Sequence, residues 1–307
     1  MILSAGLTPA WQQILSFESF ALGEVNRAAD ATWCASGKVF NAGIAACHLG
    51  AASLTLAPVG GPAAGAVRAE LDALGVEHHF VQTACATRVC TTILDRASGA
   101  MTELVENGRA LSGDELDAFR RAYADHVAGA EAAVLIGSLP AGVPHTYYRE
   151  LMELTACPAV LDFRGEGLLS VLDHKPLLVK PNRQELAATV GRPLETDADL
   201  VAAMRELNEL GARHVLISQG PGAVWLTGEC GLWRLEPPLI ADVVNPIGCG
   251  DAMAATIAWA YLRGESMVDA ARLAVAAAGQ NCRQLLPCRL DPQTLPDEAA
   301  TVVASRQ

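Results

Sequence analysis

No two of the nine cysteines stand in C-x-x-C spacing, and an odd number scattered from Cys34 to Cys288 suits neither a disulfide framework nor a zinc site. A reducing cytoplasm is the expected compartment. Basic residues are scarce: 22 Lys and Arg against 34 Asp and Glu leave a formal net charge of −12. That balance argues against a nucleic-acid or anionic-membrane surface, because neutralising phosphate needs clustered cations. A phosphate ligand must be met by a local group of donors. The most apolar helix-like run, "AMAATIAWAYL", is too short to cross a bilayer, and the opening "MILSAGLTPAWQQ" lacks the basic stretch of a secretory leader. Neither membrane nor export is expected. No Pro/Ser linker, fixed-period repeat or low-complexity tail interrupts the sequence, which reads as one continuous unit over residues 1–307.

From about residue 130 onward, short Leu-rich or β-branched runs ("AAVLIG", "PAVLDF", "KPLLVK", "RHVLIS", "GAVWLT") alternate with longer amphipathic segments. This is the rhythm of an α/β protein with a largely parallel, doubly wound sheet. Ser112 and Glu115 stand in capping-box spacing, and Leu116, Phe119, Tyr123 and Val127 then share one helical face, which predicts a core-facing helix. Residues 12–34 and 86–106 break the rhythm and read as strands, the second as a hairpin turning at Ser98-Gly99. They predict a small β element lying over the main sheet.

The stretch with the strongest chemical signal is "NPIGCGDAMAATIAWAYL". A glycine-rich turn opening a helix points backbone N–H groups and the positive end of the helix dipole at one place, which suits an anion. Asp251 beside developing phosphate charge would be repulsive unless it takes a proton from an attacking hydroxyl. An ordinary strand-turn-helix junction with an acid in its first turn remains open. In "VKPNRQEL", Asn182 and Glu185 lie one turn apart, placed either to reach a hydrated Mg²⁺ or to start a helix. Gly220 and Gly222 form a turn that admits a nucleotide or closes a hairpin, and Gly37, Lys38 and Asn41 precede a small-residue helix. "SGKV" at 36–39 lacks the rest of a P-loop, and Ser138 in "IGSLPAGVP" lacks the G-x-S-x-G context of a nucleophile. His78-His79 has no acids at metal spacing and reads as a solvated pair at a helix-to-strand junction.

In this order, "SGKVFNAGIAACHLGA", "TRVCTTILD", "IGSLPAGVP", "VKPNRQEL", "ISQGPGAVW" and "NPIGCGDAMAA" resemble the PfkB, or ribokinase-like, carbohydrate kinases, nearest the 1-phosphofructokinase and tagatose-6-phosphate kinase branch. The resemblance runs from "LTPA" at residue 7 to the last helix. It implies a three-layer αβα Rossmann-like domain with a small β lid, formed by about 12–36 and 86–108 and commonly used for dimerisation. It implies ATP and Mg²⁺ as cofactors and a sugar phosphate as acceptor. Asp251 matches the catalytic base, and the backbone of Gly248, Cys249 and Gly250 the anion hole. Lys180, Asn182, Glu185, Ser218, Gly220 and Gly222 fall on the nucleotide side, with Asn182 and Glu185 serving Mg²⁺ indirectly. Gln12, Gly37, Lys38, Asn41, Arg88 and Ser138 fall on the sugar-phosphate side.

The departures cluster on the sugar side. This branch usually reads L-N-P-A-x-D, G-G-K-G-x-N and T-R-x-N-x-K, where this chain has Thr8, Gln12, Ser36, Val39, Cys90 and Thr92. Near the base, Pro246 stands for Thr and Cys249 for Ala, the latter read as a small-residue exchange. The expectation is an ATP- and Mg²⁺-dependent kinase of a ketohexose phosphate. A kinase of another sugar or a nucleoside, and a non-catalytic nucleotide or sugar-phosphate sensor, are its rivals.

Overall fold

A computed structural model describes residues 1–307. Its strands are β1 (Ile2–Ala5), β2 (Ala10–Phe17), β3 (Asp30–Ser36), β4 (Ser53–Gly60), β5 (His78–Thr83), β6 (Arg88–Asp95), β7 (Met101–Val105), β8 (Ala132–Ile136), β9 (Ala159–Asp162), β10 (Leu178–Val179), β11 (His214–Ile217), β12 (Val224–Gly228), β13 (Trp233–Glu236) and β14 (Val303–Arg306). The helices are α1 (Lys38–His48), α2 (Ala64–Ala73), α3 (Gly113–Val127), α4 (Tyr147–Glu153), α5 (Glu166–Leu169), α6 (Arg183–Val190), α7 (Asp197–Glu209), α8 (Cys249–Leu262), α9 (Met267–Cys282) and α10 (Leu295–Ala300).

Ten strands form the large sheet in the order β14-β13-β12-β11-β10-β9-β8-β1-β4-β5. Side chains alternate across it as the pleat requires: Val134 and Ile136 join one core while Ala133 and Leu135 join the other. Apolar residues of α1, α2, α8, α9 and α10 complete the first core, and those of α3 to α7 the second. The result is the expected αβα sandwich. In this sheet β5, β4, β1, β8, β9, β10 and β11 run parallel, but β12, β13 and β14 are each antiparallel to the strand before. "GAVWLT", read from sequence within the parallel series, is the hairpin partner of β11, because the short connection at 218–223 can only send the chain back alongside itself.

The second sheet has four strands in the order β3-β2-β6-β7, drawn from residues 10–36 and 88–105. Its β6–β7 hairpin turns through Ser98 and Gly99, with Gly99 at φ +70°. The Ser112–Glu115 capping box is formed, and Phe119, Tyr123 and Val127 of α3 are buried. His78 differs from the sequence reading. It is the first residue of β5, its side chain only 6% exposed, with Nδ1 2.9 Å from the Val76 carbonyl oxygen; only His79 turns outward, to His126. No helix is long and apolar enough to cross a membrane.

The alanines of α8 have a packing cause. Ala252, Ala254, Ala255 and Ala258 are fully buried, facing α1, α9 and the sheet, and the neighbouring face of α9 is also mostly alanine (Ala270, Ala271, Ala274, Ala277). Small side chains let the backbones approach, which seats the N-terminus of α8 against the ends of β8 and β9. Ala258→Leu should therefore overpack this interface and destabilise the protein by about 1–3 kcal/mol in urea unfolding. An unchanged midpoint would show that the interface is looser than its burial implies.

Candidate active site

Parallel strands leave the loops at their carboxyl ends facing one crevice, where α/β sheets place their sites. Asp162 ends β9, Lys180 follows β10 and Ser218 follows β11. Together with α1, the turn before α8 and the small sheet, they line a cavity of about 1150 Å³. That exceeds the 300–1,000 Å³ of a typical single-ligand pocket, so two small molecules can meet inside it.

At the centre, Gly248 takes φ +90°, a left-handed conformation suited to glycine, and ends the turn from which α8 starts. The first helical hydrogen bond runs from Ala252 N to Gly248 O, so the N–H groups of Gly250 and Asp251 precede it. The Cys249 N–H is instead spent on the Pro246 carbonyl at 3.3 Å, so it closes the turn rather than joining an anion nest. A Cβ on Gly250 would lie 3.1 Å from Lys180 Nζ. Glycine there lets the ammonium come up to the turn.

Asp251 is buried, and Asn41 Nδ2 donates to its Oδ2 at 2.8 Å; Ser36 Oγ in turn donates to Asn41 Oδ1 at 3.2 Å. Burial pushes the Asp251 carboxyl up from 3.8 to about 7, with Asp162 adding to the rise and Lys38, the Asn41 hydrogen bond and Lys180 opposing it. Nearby, Lys38 Nζ donates to Asp162 Oδ1 at 2.8 Å and lies 3.7 Å from Glu185 Oε1. Lys180 Nζ is 3.2 Å from Asp162 Oδ2, an ion-pair contact without the angles of a hydrogen bond, since that oxygen has no hydrogen-bond partner. Burial alone would favour a neutral Asp162, but the flanking Lys180 and Lys38 outweigh it and hold the carboxyl below its ordinary value. For Lys38, burial is likewise outweighed by Asp162, Glu185 and Asp251, which keep it charged.

Of the sequence-selected residues, Gln12, Gly37, Lys38, Asn41, Arg88, Lys180, Asn182, Glu185, Ser218, Gly220 and the Gly248–Asp251 run all line this cavity. Ser138 and Gly222 do not: Ser138 is exposed, and the Gly222 N–H closes a turn onto Gln219. Arg88 lines the cavity beside the small sheet, yet its guanidinium donates to the carbonyls of Thr8, Pro9 and Glu106. Gln12 is buried and donates to Thr92 Oγ1 at 2.6 Å. Asn182 and Glu185 form a capping box for α6, which realises the helix-start reading and uses Asn182 Oδ1 and Glu185 Oε2; Glu185 Oε1 remains directed to Lys38. No three His, Cys, Asp or Glu side chains are spaced to cage a metal ion. Mg²⁺ usually keeps water and phosphate ligands and takes one or two carboxylates, so Glu185 suits an outer contact rather than a closed site.

A sequence profile described as pfkB family carbohydrate kinase matches residues 8–293, nearly the whole chain. The chain belongs to the pfkB family of carbohydrate kinases. Among solved structures, the kinase resembles a Thermotoga maritima protein described as a possible 1-phosphofructokinase, with a TM-score of 0.92 and 22% identity over 100% of this chain and 99% of that one. Escherichia coli phosphofructokinase-2 in complex with fructose-6-phosphate gives a TM-score of 0.86 at 25% identity, over 98% of this chain and 100% of that one. The tetrameric inhibited form of the same enzyme gives 0.87 at 25%, over 97% and 99%.

Several residues of the kinase site had no sequence signal strong enough to select them. Asp162 is one, seen only as the end of the strand-like run "PAVLDF". Asn281 is another: fully buried, it donates to Ile247 O at 2.8 Å and accepts from Cys288 N at 2.7 Å, pinning the turn before α8. The apolar wall from Pro237 to Ile240 also lacks a motif, although Leu239 stands 94% exposed at it.

The raised Asp251 carboxyl has a stability consequence. The folded protein retains a proton that the unfolded chain loses above about 3.8, so stability falls as pH rises toward and through about 7, where a buried charge must be tolerated. Asp251→Asn keeps an acceptor for Asn41 without the charge. Relative to wild type it should raise the melting temperature at pH 8 by at least about 2 °C, the shift that about 1 kcal/mol produces in a domain of this size. The gain should shrink toward pH 5. A pH-independent difference between the two proteins would contradict the burial argument.

Proposed function

We propose that this kinase transfers the γ-phosphoryl of ATP, with Mg²⁺, to a hydroxyl of a small phosphorylated ketohexose of the fructose 1-phosphate, fructose 6-phosphate or tagatose 6-phosphate type. The observation that carries the reading is Asp251: a buried carboxyl, held near neutrality by its surroundings, at the mouth of a helix N-terminus and beside two lysines. A sensor has no need of such a base. Fructose-6-phosphate in the E. coli neighbour adds support.

In this mechanism Asp251 takes the proton of the acceptor hydroxyl as its oxygen bonds the γ-phosphorus and the bond to the ADP oxygen breaks. Asn41 fixes the direction of the receiving oxygen. The N–H groups of Gly250 and Asp251, with Lys180 and Lys38, meet the negative charge on the phosphoryl oxygens. Glu185, through Oε1, is the residue that would hold Mg²⁺ by an outer contact, and the ion would supply further charge neutralisation. The acceptor occupies the end lined by Gln12 and Arg88, where the small sheet excludes water, and the nucleotide the end lined by Ser218 and Gly220. We further infer that a second copy docks on the small sheet, where Trp33, Leu104 and Val105 are exposed, and that the nine free cysteines reflect a reducing cytoplasm.

A second reading, an unphosphorylated sugar as acceptor, is favoured by one observation: the Arg88 guanidinium already serves three carbonyls, and Ser138 lies outside the cavity. A coupled assay of ADP release over ketohexoses and their phosphates decides. A substrate phosphate met by a charged partner is worth about 1.5–3 kcal/mol, so kcat/KM for a phosphorylated ketohexose should exceed that for its parent sugar by about tenfold to a hundredfold. Asp251→Asn should lower kcat by about 10² to 10⁴. Equal use of the free sugar would select the second reading, and no ADP release with any acceptor would remove the enzyme.

Glu185→Gln separates metal service from capping, since Gln can still accept from the Asn182 N–H. The melting temperature should hold while the Mg²⁺ concentration for half-maximal rate rises several-fold. An unaltered Mg²⁺ dependence in a protein of unchanged melting temperature would reduce Glu185 to a cap.

A further inference from the structure

Beside the base, two thiols face each other. Cys249, the first residue of α8, has its Sγ 3.2 Å from the Sγ of Cys282, the last residue of α9, and both line the large cavity. Cys249 Sγ also lies 3.4 Å from the Ala278 carbonyl oxygen and 3.2 Å from Asn281 Nδ2. Cys288 is near as well, its Sγ 3.5 Å from Gly248 O, but it is fully buried. A small-residue exchange explains Cys249 alone; it does not explain a second sulfur in contact with it.

We propose that Cys249 and Cys282 are a modification site, a dithiol that peroxide converts into a disulfide which disables the phosphate turn. The inference rests on the reading of this turn as the phosphoryl site. Cys282 attacks first: its sulfur lies 3.2 Å from that of Cys249 and near Arg283, and this contact and the neighbouring charge hold its thiol below its ordinary value. The same contact and burial push the Cys249 thiol up. The Cys282 thiolate attacks one peroxide oxygen, the O–O bond breaks, and the departing hydroxide takes a solvent proton to become water. The Cys249 sulfur then attacks the resulting sulfenic sulfur and expels a second hydroxide, which leaves as water with the Cys249 proton. Two thiols are oxidised and one peroxide is reduced to two waters.

The consequence follows from bond length. A disulfide holds its sulfurs about 2.05 Å apart, so the contact must shorten by more than 1 Å, and the new bond ties the first residue of α8 to the last of α9. Gly250 and Asp251 follow directly in the chain. Displacing catalytic groups by about 1 Å costs on the order of 10² in rate. Val244 N and Asn245 N both donate to the Cys282 carbonyl, so the segment before the turn shifts with it.

The test treats the full-length protein with hydrogen peroxide, then maps its peptides by mass spectrometry and measures ADP release and MgATP affinity by calorimetry. The expected result is a peptide pair joined through Cys249 and Cys282, with ADP release lowered about 10²-fold, weaker MgATP binding, and recovery of both with dithiothreitol. C282S and C249S, each compared with its own untreated sample, should keep their rate and affinity through the same treatment, while C288S should respond as wild type does. The mapping does not depend on activity, so a joined peptide with weakened MgATP binding in a chain that phosphorylates no sugar would uphold the site and overturn only the kinase reading. Absence of the joined peptide, or a joined protein that binds MgATP and turns over as the reduced one does, overturns the proposal.

Discussion

Asp162 sits between Lys38 and Lys180, and that buried contact governs the charges around it. Two ammonium groups brought this close from different elements would repel, and each would lose hydration on burial. The carboxylate lets both remain charged and fastens the start of α1 to the ends of β9 and β10. It and Glu185, whose Oε1 lies 3.7 Å from Lys38 Nζ, together balance the two ammonium charges beside a helix N-terminus that favours an anion. It also pushes Asp251 toward protonation, so the same group that makes room for phosphate helps to keep the nearby acid titrating near neutrality. Both lysines pair with Asp162, so in the proposed transfer each would meet phosphoryl charge as part of this triad rather than as a free ammonium.

What the sequence could reveal was whatever lies contiguous in it. The turn and first residues of α8 carry their own meaning, because glycine conformation, helix dipole and acid are fixed by adjacent positions. Lys38 and Asn41 are similarly local, one helical turn apart at the start of α1. Asp162 was illegible because a strand that is buried on both faces and ends in an acid looks the same whether the acid caps a loop or meets two lysines from elsewhere. Asn281 was hidden for a related reason: its partners, Ile247 and Cys288, are supplied by the tertiary fold. Asn182 and Glu185 show the limit from the other side. Their spacing fitted a cap and a metal contact equally, and the structure assigns two of their three side-chain oxygens to the cap while leaving Glu185 Oε1 facing the site. "GAVWLT" fitted both the parallel series and a hairpin closed at Gly220 and Gly222, and the hairpin is what forms; alternation of apolar runs reports burial, not strand direction.

The packing of α8 on α9 ties function to tolerance of change. Alanine against alanine brings the helices close and carries Asp251 to the sheet, but it leaves little void to absorb a larger side chain. The cysteine pair lies where this packing ends, at the first residue of one helix and the last of the other. Movement there reaches the turn directly, since Asn281, one residue before Cys282, holds Ile247 on its far side.

Arg88 gives the small sheet a mechanical character. By bonding the carbonyls of Thr8, Pro9 and Glu106 it fixes the sheet at its root, while at the opposite end Arg96 pairs with Glu18 and Asp30 and cross-braces three strands. A plate clamped at one edge and stiffened at the other behaves as a cantilever. Force on its outer tip, where Leu22 and Val25 are exposed, is delivered as torque at the root. The root adjoins Ser36, which holds Asn41 against Asp251, so whatever leans on the outside of the plate works with a lever arm on that pair.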